Sequence, residues 1–353
     1  MQTTGKKMIR HSLAVWIAGL VVIYCLAIYL AIWVGPYPIA AGDVMQILGH
    51  HVLGFPQGTS WSKTFDAIIW QVRVPRVLLA SSLGAGLALS GIVIQSMIRN
   101  ILAEPYLLGI SSGASTGAAL AILLGLGTGI LGHYALQAMA FAGAMLACLL
   151  VFSLAYTGGR FTSLRLLLAG VAVGYALNSL TSFIIFAAGD AEGARSVMFW
   201  LLGSLSLASW DVPLFSSLAA VLFAAILFTL LSKQLDILAL GDETALTMGI
   251  SAGKLRIIFL ILVSLCIGIF VSAAGSIGFV GLMIPHLARW CVGESHRRAI
   301  PVAALLGAIL LVIADLFSRT ILAPQEIPIG VLTALLGAPF LVILIRSSRI
   351  VES

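Results

Sequence analysis

The sequence predicts an all-α, polytopic membrane protein with about ten transmembrane helices and both termini cytoplasmic. Of its 353 residues 61% are hydrophobic and only 9% charged, and mean hydropathy is +1.13. A soluble chain of this length cannot cover so much apolar side chain. Between Glu104 and Arg160 lie 55 residues without one Asp, Glu, Lys or Arg. That is room for two crossings of about 20 residues each and a turn. Runs so long and uniform fit helices rather than barrel strands, the two forms that satisfy the backbone in lipid.

The first span, 12–34, follows a basic head of Lys6, Lys7 and Arg10. Its apolar stretch exceeds the roughly 7–15 residues of a cleaved signal peptide and reads as a retained helix. Further spans are expected at 74–97, 106–127, 133–157, 165–189, 211–232, 257–275, 279–292, 300–318 and 327–345, the eighth being short. With the N-terminus inside, the inner segments hold 14 Lys and Arg, Arg160 and Arg349 among them, against 5 in the outer segments. This bias fixes the orientation. It also accounts for the net charge of +6, which calls for no nucleic-acid surface. Trp33, Trp61, Trp70, Trp200 and Trp210 fall near the outer face, where interfacial anchors belong. The four cysteines are scattered, form no C-x-x-C pair and read as small apolar fillers.

Glycine is used as spacing. Gly109, Gly113 and Gly117 recur every four residues in "GISSGASTG", and Gly170 with Gly174 repeats the device. On a helix this makes a smooth groove for a neighbouring backbone. The interleaved Ser111, Ser112 and Ser115 leave a wetted pathway as the alternative.

Several chemistries are missing. Apart from Asp315, near the outer end of the ninth span, no carboxylate is expected deep in the membrane. That weighs against the alternative of an ion-coupled secondary transporter working without an ATPase. "GISAGKL" (249–255) has three residues between its glycines and ends in Leu255. A phosphate-binding loop needs four, followed by Ser or Thr. His286 has no second histidine or acid at ligand spacing, and His50 and His51 lie in an outer loop. No catalytic or metal-ligating set is expected, and the chain does not read as an enzyme.

Against this background "LDILALGDETALTMGISAGKLR" (235–256) stands out, with five charges in 22 residues on the inner side. Asp242 and Glu243 are suited to open a short helix, where acids meet the positive dipole end. Ala245, Leu246 and Met248 offer a small apolar contact, and Gly249 can end the turn. Such a segment is either a docking element or a solvated loop. On the outer side, Arg73 and Arg76 are three apart and share one helix face, and Arg319 follows the ninth span. All three run against the positive-inside bias; snorkelling to lipid headgroups is one account of them.

Six segments together resemble a known family: "WQVRVPRVLLA" (70–80), "LALSGIVIQSMIRNILAEPYLLGISSGAS" (87–115), "FWLLGSLSLASW" (199–210), "LALGDETALTMGI" (238–250), "GSIGFVGLMIPHLARWCVGESHR" (275–297) and "ADLFSRTILAPQEIPIGVLTALLGAPFLVILIR" (314–346). They resemble the permease subunits of type II ABC importers, which take up ferric siderophores, haem and cobalamin. The likeness runs from about residue 70 to the C-terminus. It departs at Ile101, where the family usually has proline.

The resemblance implies one permease domain over 1–353 with a cytoplasmic coupling segment at 233–256. Leu240, Gly241, Asp242, Glu243, Ala245, Leu246, Met248 and Gly249 would dock in a cleft of an ATPase subunit. Arg73, Arg76 and Arg319 would receive acidic side chains from an extracytoplasmic binding protein. Asn100, Leu102, Thr162 and Ser163 would form a cytoplasmic gate. The implied partners are two ATP-binding cassette subunits, a second permease copy (identical or a paralogue), the binding protein and membrane lipid, with no nucleic acid. The chain itself would bind no cofactor, ATP and magnesium belonging to the ATPase. The implied setting is a bacterial inner membrane, and the cargo a ferric siderophore or haem, then cobalamin.

Overall fold

The structure is a computed structural model that describes residues 13–55, 61–156 and 162–347. The basic residues Lys6, Lys7, Arg10, Arg160 and Arg349 lie outside the described residues. In chain order the helices are α1 (Leu13–Trp33), α2 (Ala41–Leu53), α3 (Lys63–Asp66), α4 (Val74–Ile98), α5 (Ile110–Leu124), α6 (Thr128–Leu131), α7 (Ala135–Ala155) and α8 (Ser163–Ala188). They continue with α9 (Ala191–Leu201), α10 (Val212–Leu230), α11 (Ser232–Leu240), α12 (Asp242–Thr247), α13 (Ala252–Ala274), α14 (Val280–Val292), α15 (His296–Thr320) and α16 (Ile329–Ser347). Among the described residues there is no strand.

Eight helical stretches are long and apolar enough to cross a membrane, and α5 and α14 are shorter apolar helices in the places of the third and eighth expected spans. Both are short because irregular backbone precedes them, at 99–109 and 275–279. The second crossing is longer than its hydrophobic run. A π-helical turn, Ala67–Arg73, joins α3 to α4 in one 36-residue stretch.

The centre of the bundle is α4, buried along nearly its whole length and packed against α15, α10, α14 and α13. Glycine makes the packing possible. A Cβ on Gly84 would strike the Gly307 carbonyl of α15, and one on Gly91 would strike the Gly281 carbonyl of α14.

The two expected glycine grooves are also present, but they serve different neighbours. Gly113 and Gly117 lie against the α7 backbone at Gly143 and Met139, and Gly143 returns the contact. Gly109 is no groove residue: its φ of 70° places it just before α5, as a turn. It faces Gly170 and Gly174 of α8. Gly113→Leu is therefore expected to force α5 from α7 and cost about 1–3 kcal/mol. Gly129→Ala, with open space around its Cβ, is the matched control. Thermal unfolding in detergent checks the difference.

Candidate functional site

The polar insert folds as two short helices. α11 continues from α10, and α12 opens at Asp242 after Gly241 (φ 112°) and closes before Gly249 (φ 73°). Ala245 and Gly241 face inward, whereas Leu240, Leu246 and Met248 are 64%, 69% and 56% exposed and Glu243 and Gly249 are also exposed. The apolar contact expected of Ala245 is thus with its own chain. The outward face is Leu240, Glu243, Leu246 and Met248.

Asp242 also turns inward. Arg256 of α13, only 1% exposed, donates from both terminal nitrogens to the Asp242 carboxylate at 2.9 and 2.6 Å, the two-pronged geometry that favours arginine. Arg99 stands 3.8 Å away on the same carboxylate. The Arg256 hydrogen bonds hold Asp242 below the ordinary carboxylate range. A depressed pKa contributes stability that is complete above the unfolded value and lost as pH falls through the folded one. The seat of α12 on α13 is expected to be constant from about pH 8 to about pH 5 and to loosen below about pH 4. Hydrogen exchange over Asp242–Thr247 checks this.

The expected gate residues meet at the inner end of α4. Arg99, at φ 55°, ends that helix, and the Asn100 side chain accepts a hydrogen bond from the Leu102 N–H at 2.9 Å. Leu102 is exposed. Thr162 caps α8 by accepting from the Arg165 N–H, and the Ser163 hydroxyl donates to the Met97 carbonyl at 3.1 Å. Beside them His296 joins Asp236 of α11 (2.5 Å) to Ser96 of α4 (2.6 Å). This tie went unread in the sequence, because the three residues lie far apart in it.

Two expectations are corrected. The partners that meet the outer arginines, expected from a binding protein, come from the chain itself: Arg73, Arg76 and Arg319 are buried, at 3%, 5% and 3% exposure. Arg73 donates to the carbonyls of Ile32, Trp33 and Tyr37, and Arg319 to that of Ala31. The two cations therefore meet the last turn of α1, whose carbonyls have no helical partner. Arg76 donates to Asp315 at 2.7 Å and Glu326 at 2.8 Å, and Arg319 completes the cluster 3.4 Å from Asp315. The charges run against the loop bias because they fasten α1, α4 and α15 to one another.

Glu104 is the second correction, since the sequence reading places no carboxylate deep other than Asp315. Gly91, two turns inside α4, abuts Gly281, and Glu104 accepts from the Phe279 N–H just before α14 at 2.6 Å. Tyr106 accepts from the Ile277 N–H at 3.0 Å. Both irregular stretches thus lie within the helical layer and satisfy each other, the condition for non-helical backbone at that depth. The "AEPY" run (103–106) carried the signal, one acid and one phenol beside proline.

The remaining candidates are minor. His286 packs edge-on to Trp290 and Phe340, a structural histidine. His51 stacks on Trp70 and contacts Asp66 at 3.0 Å. Cys266 is buried filler, whereas Cys25 is exposed. No cluster of three metal-ligating side chains occurs among the described residues.

An all-helical bundle of apolar spans with a folded polar insert and a polar turn beside it has the form of a membrane transporter subunit. Residues 21–347 match the FecCD transport family, and the chain belongs to that family. It is 39% identical to the uncharacterised ABC transporter permease YvrB of Bacillus subtilis (strain 168), over 92% of this chain and 91% of that one. It is 36% identical to the vitamin B12 import system permease BtuC of Citrobacter koseri, over 95% and 94%. A solved structure, an inward-facing conformation of a protein assigned as a metal-chelate type ABC transporter, superposes with a TM-score of 0.80 at 30% identity, over 94% and 98%. The chain is the multi-pass permease of an ABC importer of a bacterial inner membrane.

Proposed function

We propose that this permease moves a metal chelate from an extracytoplasmic binding protein to the cytoplasm, driven by two ATPase subunits that dock on α11–α12. The observation carrying this is the outward face of the insert. Leu240, Leu246 and Met248 stand exposed around Glu243 on a charged segment beyond the apolar spans. Large apolar side chains at such a place fit a partner's cleft. Family membership and the vitamin B12 permeases among its relatives favour cobalamin as cargo, ahead of the ferric siderophore or haem that the sequence alone put first.

A second permease copy fits the exposed side of α8, the least buried of the long helices. Asn178, Ser179 and Ser182 point outward near its middle. Polar side chains at that depth face a wet path or another protein rather than lipid.

Purification of the tagged chain in mild detergent with mass spectrometry of its companions tests the reading. A near-stoichiometric ATPase is expected. A chain that comes away alone and carries labelled cyanocobalamin into ATP-free vesicles would overturn it. Competition of that uptake by ferric hydroxamate or haem ranks the cargo.

A further inference from the structure

The Met97 carbonyl, in the last turn of α4, is a three-way junction. It accepts from Arg256 Nε at 3.2 Å and from the Ser163 hydroxyl at 3.1 Å. The other two nitrogens of the same guanidinium hold Asp242, the first residue of α12. One fully buried side chain therefore links the segment that meets the ATPase to the turn that holds Asn100 and Leu102, and through the shared carbonyl to the start of α8. Met97 is followed two residues on by Arg99, which ends α4 at positive φ and itself reaches toward Asp242.

We infer that Arg256 is a positioning residue for transport: it converts displacement of α12 into displacement of the Met97–Leu102 turn and of Ser163. This rests on the importer reading above. The physical reason is rigidity. A planar guanidinium spanning a carboxylate and a carbonyl fixes both at once, and its five donors cannot be matched by the single ammonium of lysine. The carboxylate anchor is short and two-pronged and the carbonyl anchor, at 3.2 Å, is buried, so a shift of the carboxylate is passed on rather than absorbed. No other described side chain donates both to Asp242 and to the α4 terminus.

The test uses the permease with its co-purifying ATPase in lipid nanodiscs. Leu102→Cys is introduced after Cys25, Cys148, Cys266 and Cys291 are replaced by alanine, and a membrane-impermeant maleimide reports its labelling rate with and without Mg-ATP and vanadate. With Arg256 present the nucleotide is expected to change that rate by about tenfold, a mid-range coupling. In Arg256→Lys, which keeps the charge facing Asp242, the rate ratio is expected to fall to about one while ATPase binding stays within about twofold. A preserved ratio, or a loss explained by loss of ATPase binding, would overturn the inference. Should Arg256→Lys fail to fold, Asp242→Asn, which weakens the other anchor of the same guanidinium, takes its place: a preserved ratio there with ATPase binding intact is equally fatal. Absence of any ATPase from the wild-type preparation would instead sink the importer reading itself.

Discussion

Asp315→Leu is expected to be the most destabilising single change in the chain, costing about 3–5 kcal/mol, because it leaves buried cations without their partner. Arg76 loses the shorter of its two carboxylates and Arg319 loses its ion pair, while both stay out of water. Glu326→Gln removes the other acid of the cluster, but that side chain is 38% exposed. Its loss is expected to cost about 1 kcal/mol or less. The order of the two, read from thermal unfolding in one detergent, is the informative quantity. Equal effects would mean that water reaches Asp315. A further change of Arg76 to Met in the Asp315→Leu background should recover part of the loss, since removing a stranded charge relieves what removing its partner created.

Leu246→Asp is the second large effect, and it falls on function alone. The Leu246 side chain is 69% exposed and stands outside the hydrophobic core, so the fold should be little affected. If α12 enters a cleft, a carboxylate at the apolar centre of that contact costs about 2 kcal/mol, or roughly 30-fold in ATPase affinity. Uptake should fall accordingly with Tm unchanged. Reversing Asp242 and Glu243 together would not isolate docking. Asp242 is held by Arg256, and a lysine there would expel α12 from its seat whether or not an ATPase docks. Glu243→Lys alone addresses the outer face.

Hydropathy located the crossings because lipid leaves the backbone few choices. The expected 12–34 is observed as Leu13–Trp33, and 279–292 as Val280–Val292. Side-chain partners were not legible in this way. Arg76 and Asp315 are 239 residues apart, and nothing local in either span announces the other. A four-residue glycine spacing likewise shows one side of a contact and is silent about its partner. It marked Gly113 but not Gly143, and it counted Gly109 as part of a helix that begins one residue later. The insert was read more fully, because its helix start and stop rest on local chemistry: two acids at one end, a glycine at the other. Which of its residues face outward depends on α13, and that assignment needed three dimensions.

The packing of α4 divides the molecule into parts with different freedoms. Its backbone touches those of α14 and α15 through glycine, leaving no side-chain layer between them to slide or reshape. Around Gly84 and Gly91 these three helices form a stator, and the end of α4 at Met97 lies beyond it. Helices α8 and α16, with most of their surface outside the chain's own core, are the ones whose orientation costs little to change. A cycle that opens and shuts a path is then expected to turn on the periphery of the chain, with its glycine-packed middle as the frame against which that turning is measured.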